Sequence, residues 1–367
     1  YRCFRGARTV YAQGVDTMRD RVRFGVIGSG VIGPWHARAI ESCEEAELVA
    51  VSDSNLDKAK ALAANHGGIS CYQDYHEMLR NTDLDAVSIC LPSGMHGDAA
   101  IAAARAGKHI LCEKPLEITL EKIDAMIAAA RDNKVKLGGI FQWRTYPVSI
   151  KARNAVRSGL LGKMVLGDAY LKYYRSQAYY DSAEWRGTWK YDGGGALMNQ
   201  GVHGIDILLW VMGDVERVFA RTAALARTIE VEDTAVAVLK FTSGAFGVIE
   251  ATTSSNPGEP STLAFHGEQG TIIMHEGAFL RWAVTDKKDG LAQEQVEMKK
   301  IEGESKTGVS DPREIGIRGH IIQVQDMVRA IKEDRDPMVT GESARKSVQL
   351  ILAIYESSRT GKDVVIQ

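Results

Sequence analysis

Gly28-Ser29-Gly30-Val31-Ile32-Gly33 is the stretch that decides the fold. It follows the apolar run Val22-Arg23-Phe24-Gly25-Val26-Ile27 and leads into a helical pattern through Ala37-Arg38-Ala39-Ile40, so the order predicted is strand, tight turn, helix. A second apolar run, Leu48-Val49-Ala50-Val51, ends near Asp53, and Asp57 to Asn65 has helical character. A β-α-β unit completed within about 30 residues is the size of a nucleotide-binding half. There the glycines permit the tight turn and let backbone N–H groups approach a pyrophosphate at the helix N-terminus. Gly28, Ser29, Gly30, Val31, Ile32 and Gly33 are therefore expected to bind a dinucleotide. Asp53 stands where a carboxylate takes the adenosine ribose hydroxyls and repels a 2′-phosphate, which favours NAD over NADP. A glycine-rich turn beside a surface aspartate is the bland alternative, and the flanking strand and helix argue against it.

Outward from that unit the alternation continues: helix near Tyr75–Arg80, strand Ala86–Leu91, helix Asp98–Ala106, strand His109–Cys112, helix Leu120–Asn133, strand Lys136–Phe141. Strands regularly separated by helices imply a parallel sheet covered on both faces. After about Arg144 the pattern changes. Helices near Val148–Ser158 and Leu197–Met212 flank strand-like runs at Val165–Tyr174, Val231–Phe241, Ala245–Thr252 and Leu263–His266. Ala235, Ala237, Leu239 and Phe241 alternate, and Thr242-Ser243-Gly244 joins them to the next strand, the mark of an antiparallel hairpin. The fold class expected is α/β, with an N-terminal doubly wound parallel sheet over 21–143 and a C-terminal α+β domain with a mostly antiparallel sheet over 144–367. Ser254–Ser261 reads as a loop, Thr285–Val309 as a charged exposed stretch, and Glu342–Thr360 as a last helix ended by Gly361. Residues 1–20 carry Arg2, Arg5, Arg8 and Arg19 without an apolar core and are expected to be a prefix or extension outside the fold, with Met18 a candidate start and an Arg-rich transit segment the alternative.

With 367 residues, 45% hydrophobic and 25% charged, the chain has the composition of a soluble globular protein of about two domains. Its 45 Lys and Arg against 47 Asp and Glu provide no basic field for nucleic acid or an anionic membrane, so a small molecule is the expected partner. Cys3, Cys43, Cys71, Cys90 and Cys112 form no CxxC pair, and no metal site is expected; reduced thiols in a cytoplasmic protein are the simplest reading. The apolar run Ile207–Met212 is far short of the ~20 residues a bilayer requires.

Four further stretches carry candidate chemistry. Pro92, Ser93 and His96 follow the strand that ends at Leu91, at the carboxyl edge where open α/β sheets bind ligands; His96 is open to a role in the groove wall or at a helix start. Glu113-Lys114-Pro115 closes the next strand, where a lysine can donate to a substrate oxygen. In Asp192-Gly193-Gly194-Gly195-Ala196-Leu197-Met198-Asn199-Gln200-Gly201-Val202-His203-Gly204-Ile205-Asp206 a helix beginning near Ala196 places Asn199, His203 and Asp206 on one face, and the glycines argue for close approach of something to its start. A histidine there suits a general base for an alcohol; a polar solvent face is the competing reading. Trp185 and Arg186 fit a lid over cofactor or substrate, or else a buried corner.

Together these residues resemble the glucose–fructose oxidoreductase / inositol dehydrogenase / MocA family over about residues 22–367. The resemblance implies a Rossmann domain followed by a domain whose large open sheet usually serves as an oligomer interface, hence a homo-oligomer, dimer or tetramer. It places the family's lysine on Lys114 and its catalytic histidine on His203, and it adds Glu113 to the cofactor groove. Its frequent aspartate falls on Asn199, which cannot take a proton and is left to orient a hydroxyl. The departure shifts weight from a simple inositol dehydrogenase towards members acting on sugars or nucleotide sugars. The expected function is NAD-dependent oxidation of a secondary alcohol on a sugar, nucleotide sugar or cyclitol. A redox-assisted glycoside hydrolase with tightly held NAD and a non-catalytic NAD sensor are the alternatives; the latter is disfavoured because Lys114 and His203 are both present.

Overall fold

The structure is a computed structural model that describes residues 20–275, 277–285, 292–294 and 316–366. All but the last residue of the prefix expected at residues 1–20, Cys3 within it, and most of the charged stretch 285–309 lie outside the described residues.

The first half is the alternation the sequence implies. Its strands are β1 (Val22–Ile27), β2 (Ala46–Ser52), β3 (Ser70–Tyr72), β4 (Ala86–Ile89), β5 (His109–Cys112) and β6 (Leu137–Gly139), all parallel in the order β3-β2-β1-β4-β5-β6. Helices α1 (Gly33–Glu41), α2 (Leu56–Asn65), α3 (Tyr75–Asn81), α4 (His96–Arg105) and α5 (Leu120–Asp132) connect them. The short strand β3 carries no apolar run, so the hydrophobic pattern gives no sign of it. Strand order reverses between β1 and β4, which opens a crevice at their carboxyl ends.

The second half is built on a nine-stranded sheet. Here α6 (Pro147–Arg157) leads to β7 (Met164–Lys172), α7 (Gln177–Asp181) and α8 (Val202–Met212). Strands β8 (Val215–Ala223), β9 (Thr234–Phe241), β10 (Phe246–Thr252), β11 (Thr262–Gly267), β12 (Gly270–Met274), β13 (Phe279–Thr285) and β14 (Ala292–Glu294) follow. Helices α9 (Arg318–Lys332) and α10 (Gly341–Thr360) and the short β15 (Val364–Val365) complete the chain. The sheet order is β14-β13-β12-β11-β7-β10-β9-β8-β15, antiparallel except for the β7–β10 pair. On β9 the predicted alternation holds: Ala235, Ala237, Leu239 and Phe241 are buried in the core that also takes side chains from α8 and α10, whereas Val236 and Val238 are exposed. Phe219 and Phe246 join them on an apolar open face. Gly361 ends α10 in the left-handed region (φ 69°), and the Thr340 side chain caps its start through the Ser343 N–H.

One element departs from the expected division at residues 143 and 144. α9 packs Val324, Met327 and Val328 into the core formed by β1, β2 and α1, so the chain returns to its first sheet before closing the second. Among the described residues no helix is long and apolar enough to cross a membrane.

Candidate active site

The glycine loop has the geometry its spacing predicts. Gly28 sits at φ +102°, and a Cβ there would lie 2.5 Å from the Cys90 carbonyl oxygen. A Cβ on Gly33 would strike the Gly28 carbonyl oxygen, so the third glycine is what lets α1 pack this close to the turn. Gly30 meets nothing within 4 Å: its open side is where a pyrophosphate can reach the backbone. No side chain caps the N-terminus of α1, which leaves its first N–H groups to a ligand. The Asp53 carboxylate accepts the N–H of Ser29 (2.8 Å) and of Asn55 (2.8 Å), which pins the loop to the end of β2 and fixes the acid beside it. Val31, 61% exposed, and Ile32 flank the opening. These residues fit an NAD dinucleotide.

Pro92 and Ser93 open a 3-10 turn on the far side of the crevice, and Gly94 within it donates to the Tyr191 carbonyl oxygen (2.8 Å). His96 does not line the groove. It is buried, with Nδ1 2.9 Å from the Pro115 carbonyl oxygen and Nε2 2.8 Å from that of Leu91, so it ties the two strand-end loops together. Burial holds its pKa below the ordinary histidine value.

Glu113 likewise turns away from the cofactor groove. Its Oε1 lies 2.9 Å from His36 Nε2 and 3.2 Å from His320 Nε2, and its Oε2 accepts the Lys114 N–H (3.0 Å). Burial opposes its ionisation, but the hydrogen bonds from His320 and His36 outweigh it and hold the carboxyl well below the usual range. Glu113 is thus a buried anion joining α1, the end of β5 and α9. The signal for it was His36, four residues into α1; His320, 207 positions from Glu113, left none.

Lys114 reaches across to the second domain, where Nζ donates to the Asn199 carbonyl oxygen (2.8 Å). Burial lowers its pKa, opposed by Glu113 and Asp192 and assisted by Arg175 and Arg186. Asn199 lies on a π-helical turn, Ala196–Gly201, that precedes α8. This wider turn replaces the first part of the regular helix expected over Leu197–Met212, while His203 and Asp206 keep their i, i+3 spacing within α8. Asp206 makes a bidentate, buried ion pair with Arg144 (2.6 and 2.7 Å). The glycines before the turn make room for protein rather than ligand: Cβ atoms on Gly193, Gly194 and Gly195 would strike Ile118, the Tyr355 hydroxyl and the Glu232 carbonyl oxygen. Glu232 also accepts the N–H groups of Gly195 and Leu197 (3.0 and 2.8 Å), and burial pushes its carboxyl up to about 7.

His203 is 7% exposed and stacks on Trp143 (5.5 Å between centroids, 23° between planes) with Phe141 edge-on. Burial, and then the charge of Lys114, hold its pKa well below the ordinary value. The imidazole is therefore neutral around pH 7, and its buried Nδ1 has no hydrogen-bond partner among the described residues. The Asn199 amide donates to Asp192 (2.7 Å), a buried carboxylate that also accepts the Gly187 N–H (2.9 Å). Asp192 stood in the motif without an assigned role.

Trp185 and Arg186 are half-buried in a run of turns above Tyr179, not a sealed corner. The Arg186 guanidinium lies between the Tyr179 and Trp185 rings (4.3 and 4.6 Å) and donates to the Tyr179 hydroxyl (2.5 Å), which Gln200 also approaches (3.3 Å). Burial pushes the Tyr179 and Tyr180 phenols above their ordinary values, so neither supplies a phenolate base near neutrality.

Residues 22–140 match the family described as "Oxidoreductase family, NAD-binding Rossmann fold", and residues 149–273 match "GFO/IDH/MocA C-terminal domain". The chain is similar to a myo-inositol 2-dehydrogenase of Thermotoga maritima, 27% identical over 94% of this chain and 99% of the relative. It is 30% identical to the rhizopine catabolism protein MocA of Rhizobium meliloti over 68% of this chain and 77% of the relative. Among solved structures, the WlbA dehydrogenase of Bordetella pertussis in complex with NADH and UDP-GlcNAcA is 32% identical, covers 95% of this chain and 99% of its own, and superposes with a TM-score of 0.81.

Proposed function

The chain belongs to the GFO/IDH/MocA family of NAD-binding oxidoreductases acting on sugars or cyclitols, and on that premise we propose that it oxidises, reversibly, one secondary alcohol of a sugar, nucleotide sugar or cyclitol. The observation that carries this reading is the meeting of Lys114, at the carboxyl end of β5, with the π-turn that holds Asn199 and leads to His203. When bound, NAD accepts the hydride leaving the carbinol carbon. His203, neutral and dry, takes the hydroxyl proton. Lys114 keeps two N–H donors beyond the one given to Asn199, and these steady the oxygen as negative charge grows on it. Asn199 orients a neighbouring hydroxyl. Gly28, Ser29, Gly30, Val31, Ile32 and Gly33 hold the pyrophosphate, Asp53 the ribose, and Pro92 and Ser93 the opposite wall, with Trp185 and Arg186 above.

The apolar open face of the second sheet supports a homo-oligomer built on Val236, Val238, Phe219 and Phe246. Cys43, Cys71, Cys90 and Cys112 are free thiols, which supports a reducing, cytoplasmic setting. The test is NADH formation from NAD with a panel containing myo-inositol, levoglucosan and a UDP-linked hexuronic acid. Net NADH with at least one of them is expected. Bond cleavage in a glycoside without net NADH would replace this reading with the hydrolase.

A further inference from the structure

The polarity of Asn199 is set from outside the reacting pair. Its Nδ2 is committed to Asp192 at 2.7 Å, so the oxygen of the same amide is the group left to face the cleft. Asp192 is 2% exposed, and its other oxygen accepts the N–H of Gly187, the residue after Arg186. One buried carboxylate therefore joins the lid segment to the turn whose Asn199 carbonyl receives Lys114. We propose that Asp192 is a positioning residue of this active site, whose ionised form holds the Asn199 amide with its oxygen towards the substrate, so that Asn199 accepts a hydrogen bond from a substrate hydroxyl.

The proton balance follows from the donors. An ionised Asp192 can only accept, so Asn199 must give it the NH2 group. A protonated Asp192 can donate to the amide oxygen; the amide then turns and shows NH2 to the substrate, and the hydroxyl loses its acceptor. The charged and titratable groups facing Asp192 are Arg186 and Lys114, which favour its ionised form, and Tyr179, Tyr180 and Tyr355, whose phenols stay neutral near pH 7. Burial outweighs the two cations and pushes the Asp192 carboxyl up to about 6. His203 lies well below its ordinary value, so the groups titrating near neutrality are carboxyls, Asp192 at about 6 and Glu232 at about 7, and of these Asp192 is the one bonded to the Asn199 amide.

The kinetic part of the test rests on the dehydrogenase reading; the titration part does not. With NAD and myo-inositol, or the panel member turned over fastest, wild-type kcat/KM for oxidation should rise with pH through one ionisation near 6. Asp192→Asn should abolish that limb and lower kcat/KM about tenfold at higher pH, with NAD affinity unchanged within a few-fold. Asn199→Ala should abolish the limb while leaving Asp192 in place. Independently, in protein carrying 13C-labelled aspartate carboxyls, the resonance missing from Asp192→Asn should titrate near pH 6, and Asn199→Ala, by removing a donor to the ionised form, should move it upward. An Asp192→Asn enzyme that keeps the limb overturns the proposal, as does an Asp192 resonance that titrates at an ordinary aspartate value or ignores Asn199→Ala. If wild type oxidises none of the panel, the functional reading fails and the resonance still decides the pairing.

Discussion

Replacing Lys114 with methionine keeps length and apolar stem and removes the charge. Of the three N–H donors on the ammonium, one is given to the Asn199 carbonyl oxygen at 2.8 Å and two are left for the reacting oxygen. Losing a charged donor at a developing oxyanion costs about 3 kcal/mol, or about 10²–10³ in kcat. The same change has a second consequence with a definite sign. Lys114 is, after burial, the main cause holding the His203 imidazole below its ordinary value, and it also favours the ionised form of Asp192. Without it both groups titrate at higher pH. The acid limb of oxidation must move up in the variant whichever of the two is observed, because each acts in its deprotonated form. NAD affinity, which depends on the glycine loop and Asp53, should stay within a few-fold, and thermal unfolding should show a folded protein. The measurements are kcat and kcat/KM across pH with saturating NAD, with NAD affinity by calorimetry. A kcat within about threefold of wild type, or an acid limb that moves down, would refute the assignment of Lys114 to the reacting oxygen.

Asp53→Ser should weaken NAD and narrow its advantage over NADP, since the carboxylate that repels a 2′-phosphate is gone; calorimetric titration with both dinucleotides checks it, and tighter NADP binding by wild type would undo the argument. Arg144→Met leaves Asp206 charged and buried without its bidentate partner, so stability at neutral pH should fall by about 3–5 kcal/mol. Because burial already raises the Asp206 pKa, the deficit should shrink as the pH drops and the carboxyl takes a proton. Denaturant melts of Arg144→Met alone and with Asp206→Leu should show the double variant recovering much of the loss; a single-variant loss under about 1 kcal/mol counts against a structural role for the pair. Val238→Lys with Phe246→Lys should convert a dimer or tetramer to monomer in light scattering at micromolar concentration, and a monomeric wild type would remove the sheet-face interface.

How far a sequence shows its own site depends on how local the causes are. The glycine loop was readable because each glycine answers to a neighbour a few residues off or to the next strand: Gly33 to the carbonyl of Gly28, Gly28 to Cys90 on the strand beside it. Lys114 was readable because the end of a parallel strand is a place the alternation alone locates. Gly193, Gly194 and Gly195 announced a close approach but not its source, because what presses on them comes from Ile118, Glu232 and Tyr355, segments whose meeting no spacing in one chain reports. The π-turn was hidden for a related reason. A helix period of 3.6 carries no sign of Glu232, which captures the N–H groups of Gly195 and Leu197 at the start of the wider turn, or of Arg144, which takes the Asp206 carboxylate.

The same reasoning bears on the missing carboxylate at Asn199. Read along the chain, an amide where a family aspartate often stands means an acid lost from the site. In three dimensions an acid is present seven residues earlier, carried back by the glycine turn to within 2.7 Å of that amide. The substitution moves the negative charge one hydrogen bond away from the substrate rather than removing it. A carboxylate touching substrate could share the proton with His203; one acting through an amide can only choose which end of the amide the substrate meets. On the proposed reading His203 is then the group assigned to take the proton of the reacting hydroxyl, and its surroundings suit a general base. Trp143 and Phe141 keep the ring dry, and Lys114 keeps it unprotonated until the alcohol arrives.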